Sequence, residues 1–159
     1  MWIAILIAAA AIGIGIAVGV SQAKKNNQLI SEGKMIKRTY RYAEKGEEFT
    51  SKIGSFKALA DTIATMPMPC KAEGNTSTQV IFTAKTFAAR LYKVQFDQPS
   101  GIGVFRFEFT RWKEYRGMYE EANAMNVLLT SVEKAFLQLD PNTGVKNYDI
   151  DFKTKHSVF

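Results

Sequence analysis

Cys70 and His156 are the only cysteine and the only histidine in the 159-residue chain, so they come first as nucleophile, base or metal ligand. A nucleophilic thiol needs a base beside it, and a zinc site needs further thiolates or imidazoles at short spacing. Neither residue has such a neighbour in the sequence, and a lone cysteine allows no intrachain disulfide. Asp149 and Asp151 fall on one face of an expected strand, where paired carboxylates could hold a cation or move a proton. Lys146 and Lys153 neutralise them more simply. Gly13-Ile14-Gly15 lies inside an apolar run, and Gly101-Ile102-Gly103 opens a strand, so neither forms a phosphate loop. The sequence therefore points to no catalytic residue, no metal and no cofactor, and an enzyme is not the expected class.

The densest mixture of positive charge and aromatic surface is Arg106, Arg111, Trp112, Lys113, Tyr115 and Arg116. Such a patch can stack bases or sit at a lipid interface. Glu108 and Glu114 dilute it, and salt bridges on a solvated face are the plainer reading. The whole chain carries a formal charge of +6 and a pI near 9.4, which alone fits nucleic acid, anionic lipid or simple solubility. A nucleic acid partner is not expected.

The residues that must position this patch begin with Trp2 to Val20, a stretch without charge, amide or hydroxyl. A helix of that length spans about 28 Å, close to the roughly 30 Å hydrocarbon core of a bilayer. A cleavable signal would carry a basic start and a shorter apolar core; Ser21-Gln22-Ala23 could serve as its cleavage site. No lysine or arginine precedes the run, and Lys24 and Lys25 follow at once, so an uncleaved anchor over 2–20 is the expectation. Basic residues dominate 24–45, and the positive-inside rule then puts the N-terminus outside and the following domain in the cytoplasm. Ala11, Gly15 and Gly19 recur every fourth residue and would allow close helix pairing, in a homo-oligomer or with a partner. A polar basic linker, 21–33, continues the membrane helix or runs as a tether. Lys24, Lys25, Lys34 and Lys37 lie where they could meet anionic headgroups.

Beyond the linker, residues 34–156 read as a single α+β domain, long enough for one core. Met35 to Tyr42 alternates as a half-buried strand, with Arg38 in conflict on its apolar side and Gly46 ending it. Phe49 to Met66 has helical period, with Thr50 or Ser51 as cap, Gly54 inside and Pro67 and Pro69 stopping it. Lys71 to Ser77 reads as a turn. Three strands follow over Thr78–Thr83, Phe87–Asp97 and Gly103–Trp112, the last with Phe105, Phe107 and Phe109 alternating against Arg106 and Glu108. A helix over Tyr119–Leu139 and a strand over Val145–Lys153, with Tyr148, Ile150 and Phe152 inward, complete the domain. The order β-α-β-β-β-α-β predicts two helices on one face of a largely antiparallel, five-stranded sheet. The functional expectation is a membrane-anchored accessory protein that docks a protein partner or the membrane surface. The alternative is a lipid or small molecule held between sheet and helices by Tyr40, Tyr92, Phe96, Phe107 and Phe136.

Overall fold

A computed structural model describes residues 21–38, 41–73 and 77–150. Within them the chain folds as α+β, with three helices and a six-stranded sheet of order β2-β3-β4-β5-β1-β8. Its strands are β1 (Lys45–Ser51), β2 (Lys71–Glu73), β3 (Gln79–Thr83), β4 (Phe87–Asp97), β5 (Ile102–Trp112) and β8 (Gly144–Asp149). Two further strands, β6 (Glu114–Tyr115) and β7 (Met118–Tyr119), pair only with each other. Helix α1 has its described part at 21–31, followed by α2 (Phe56–Ala64) and α3 (Ala122–Leu139). Each strand pairing in the sheet is antiparallel.

Alternation in β5 sets the two faces. Phe105, Phe107 and Phe109 are buried on one side, joined by Phe49 of β1, Leu91 of β4 and Phe82 of β3. Helices α2 and α3 cover this face. Phe136 of α3 lies flat on Phe49 at 4.1 Å between ring centres and meets Phe105 edge-on at 5.3 Å. Helix α2 contributes Phe56, Leu59, Ala60 and Ile63, and Ser55 caps it by accepting from the Ala58 amide. Aromatic rings thus fill the space between the layers, as the β5 pattern predicts.

Several boundaries differ from expectation. Residues 35–38 form no strand; the first strand is β1, ten residues later, and it runs through Gly46. The reason lies in α3. The Ile36 amide donates to Thr130 Oγ1 at 3.2 Å, and Asn126 Nδ2 donates to the Ile36 carbonyl at 2.7 Å, so helix side chains take the groups a neighbouring strand would use. Phe49, Thr50 and Ser51 belong to β1 and not to the following helix, because Phe49 pairs with both Phe105 and Val145 between two strands. Gly54 lies outside α2, with open space where a Cβ would be. The expected turn after Cys70 begins as the sixth strand, β2. Tyr148 faces away from the helices, because the β1–β8 register sets it opposite Gly46. Ile150 is buried as expected, while Phe152 lies outside the described residues.

Candidate functional site

The six patch residues are spread over three places. Arg106 lies mid-strand on the outer face of the sheet, donating from Nε to Glu48 Oε2 at 2.8 Å, its guanidinium 4.7 Å from the Tyr148 ring centre. Lys146 reaches the other Glu48 oxygen at 2.8 Å, so hydrogen bonds from Lys146 and Arg106 hold that carboxyl below its usual range. Beside them Glu108 is buried, accepting from Arg90 Nε and from the Tyr148 hydroxyl, each at 2.8 Å. Tyr148 lies across Gly46, where a Cβ would fall inside its ring. Burial and the Glu108 carboxylate push the Tyr148 phenol far above its usual range. The sheet face away from α2 and α3 is thus sealed by ion pairs and by guanidinium groups stacked on tyrosines.

Arg111 donates to the Ala84 carbonyl at 3.2 Å, and Trp112 is buried with its indole N–H on Glu114 at 2.9 Å. Lys113 pairs with Glu120 at 3.0 Å. Only Tyr115 and Arg116 stand clear, in the β6–β7 hairpin. Its two loop residues, Arg116 (φ 50°) and Gly117 (φ 75°), are both left-handed, the geometry of a type I′ turn. Glycine adopts it freely; for Arg116 it costs roughly 1–2 kcal/mol. Turn and base are pinned. Arg41 donates to the Gly117 carbonyl at 2.7 Å, pairs with Glu114 and lies 5.0 Å from the Tyr119 ring centre. The Tyr119 hydroxyl accepts the Ala43 amide, and burial pushes its phenol up to about 12. The sequence reading missed this hairpin because Arg-Gly is a weaker type I′ signal than Asn-Gly or Asp-Gly.

A third feature is the docked linker. The Arg38 side chain, 6 % exposed, donates to Asn126 Oδ1 at 2.8 Å, to both Glu133 oxygens at 3.1 and 2.8 Å, and to Glu47 at 3.4 Å. Its place on the apolar side of the segment is therefore an ion-pair site beneath α3. Upstream, α1 ends in a Schellman motif: the Gly33 amide bonds the Ile30 carbonyl and the Lys34 amide the Leu29 carbonyl, both at 2.9 Å. Gly33 takes φ 68°, and Lys134 donates to its carbonyl. Lys24, Lys25 and Lys37 are exposed, and Lys34 pairs with Glu32 at 2.7 Å.

Two shallow depressions adjoin one another. The larger, about 670 Å³, is lined by residues including Met68, Cys70, Lys71, Thr83, Lys85 and Glu121; the smaller, about 350 Å³, includes Lys85, Thr86 and Lys113. Burial pushes the Cys70 thiol up to about 11, so it is a poor nucleophile at neutral pH. Asp149 is bound to Lys45 at 2.6 Å. Among the described residues no three His, Cys, Asp or Glu side chains gather as a metal site, and no helix is long and apolar enough to cross a membrane. Ala11, Gly15, Gly19, the expected span 2–20, Tyr40, Asp151 and His156 lie outside the described residues. No protein-family model, curated protein or solved structure matches the chain.

Proposed function

We propose that the chain is a single-pass membrane protein in which residues 2–20 cross the bilayer, α1 stands as a polar stalk, and the α+β domain docks a protein partner or the membrane surface from the cytoplasmic side. The observation that carries this reading is α1 itself. It is helical over 21–31, and all but Asn26 and Leu29 of those positions are exposed. An isolated helix shorter than about 12–15 residues is marginal in water, and a polar, exposed helix persists where it bridges two bodies or carries i,i+4 side-chain pairs. A stalk set between a bilayer span and the domain accounts for a helix that is exposed along its described length and closes at Gly33. The latch through Arg38 then joins stalk and domain.

The alternative of a ligand held between sheet and helices finds less support. Phe107 and Phe136 are buried in ring contacts, Tyr92 faces the outer side, and Phe96 is 39 % exposed at the surface. The depressions open at the surface.

Two measurements test the reading. The full chain is expected to remain with the membrane after alkaline carbonate washing; release into the supernatant would refute the anchor. With Cys70 replaced by serine and a cysteine placed at Asn27, a membrane-impermeant maleimide should label only permeabilised cells. Labelling of intact cells would reverse the orientation.

A further inference from the structure

Tyr115 and Met118 are 65 % and 67 % exposed, the highest values among the bulky apolar side chains of the described residues. They are directly opposed across the β6–β7 pair, so they share one face and offer one joint apolar surface. Arg116 lies over the Tyr115 ring at 5.2 Å and has no carboxylate partner among the described residues. The hairpin is ordered before it meets anything, because Arg41 holds its turn and Trp112 and Tyr119 hold its base. We propose that this hairpin is a foot that rests on the lipid surface, with Tyr115 and Met118 at the headgroup boundary and Arg116 on lipid phosphate. The inference rests on the membrane anchor proposed above and adds the contact site.

Two observations favour lipid over a protein pocket. The first is chemistry: tyrosine concentrates at the membrane interface, and a long cationic side chain can hold its charge among headgroups while its stem stays apolar. The second is size. Two apolar side chains fall well short of the roughly 1,000 Å² that a specific protein interface needs, whereas a tethered domain needs only weak contact, since the tether fixes its local concentration.

From Gly33 the chain runs back along α3: Gly33 meets Lys134, Ile36 meets Thr130, Arg38 meets Asn126, and the Tyr42 hydroxyl donates to the Ala122 carbonyl. Positions 134 to 122 of a helix are about 18 Å apart, so this segment carries the chain from the end of α1 to the start of α3, just after the hairpin.

The test uses the full chain with Cys70→Ser and a nitroxide on Met118→Cys, reconstituted in vesicles of phosphatidylcholine and phosphatidylglycerol. A second preparation carries the label on Tyr115→Cys, and a control carries it on Asp61→Cys of α2. Power saturation compares access of oxygen, which enters lipid, with a water-soluble nickel chelate. Expected at 118 and 115 is a several-fold lower nickel-to-oxygen ratio than at 61, and a return toward the control value with Arg116→Glu. Labels at 115 and 118 as open to nickel as the control would overturn the inference while leaving the anchor standing. Labels shielded from both reagents would also overturn it, in favour of burial against protein, including a second copy. Loss of the chain from carbonate-washed vesicles would instead refute the anchor.

Discussion

Replacing Arg38 with methionine isolates the latch, because the stem volume is largely kept while the charge and its donors are lost. The Arg38 side chain is 6 % exposed, Glu47 4 % and Glu133 12 %, so the two carboxylates left behind could not simply hydrate. Removing one member of a buried ion pair typically costs about 3–5 kcal/mol. For a domain of this size, whose total stability is of the order of 5–15 kcal/mol, that is a large share. At roughly 3–5 °C per kcal/mol the melting temperature should fall by about 10–20 °C. The assay is thermal and urea unfolding of the full chain in detergent, with amide exchange at Ile36 as the local readout. That amide is held by Thr130 Oγ1 in the same segment, so it should lose protection before the global core does. Glu133→Gln, which leaves Arg38 its contacts with Glu47 and Asn126, should cost clearly less. A loss below about 1 kcal/mol for Arg38→Met, with Ile36 still protected, would refute the buried-latch account.

Other substitutions probe separate parts of the fold. Gly33→Ala places a Cβ at a left-handed residue and should cost about 1 kcal/mol or more, read as faster exchange of the Lys34 amide at the end of α1. Gly46→Ala drives a Cβ into the Tyr148 ring and should destabilise the chain; in a Tyr148→Ala background thermal unfolding should show most of that cost gone. Cys70, with its pKa near 11, should react with iodoacetamide at pH 8 about two orders of magnitude more slowly than a free thiol near 8.5, and at the ordinary rate in urea. The Asp140 carboxyl is held below its usual range by the Lys52 and Asn142 amides. Its contribution is present above the unfolded pKa and lost as pH falls through the folded one, so Asp140→Asn should flatten the acid limb of a stability–pH curve.

Much of the architecture was legible because it rests on local periodicity. The alternation of Phe105, Phe107 and Phe109 fixed a central strand, the β4 boundaries matched, and the stripe of α3 placed Phe136 in the core. Where period and context disagreed, context won. Phe49 carries a pattern that reads as helix, yet sheet pairing on both sides makes it strand; residues 35–38 alternate like a strand, yet Thr130 and Asn126 claim the backbone of Ile36. The basic-aromatic cluster was legible only as composition. Ion pairs with Glu48 and Glu120 absorb Arg106 and Lys113, burial absorbs Trp112, and a two-residue turn lifts out Tyr115 and Arg116.

By itself, the sequence determined the uncharged run 2–20, the basic residues behind it, the amphipathic faces and the absence of companions for Cys70, since these depend only on residue type and spacing. Tertiary structure alone decided that Arg38 is buried under α3, that Tyr148 seals the outer face over Gly46, and that Arg41 holds the hairpin turn with Tyr115 and Met118 left exposed. Each of those joins residues tens of positions apart, and the free energy that fixes them comes from burial and pairing across that distance, which no local pattern encodes.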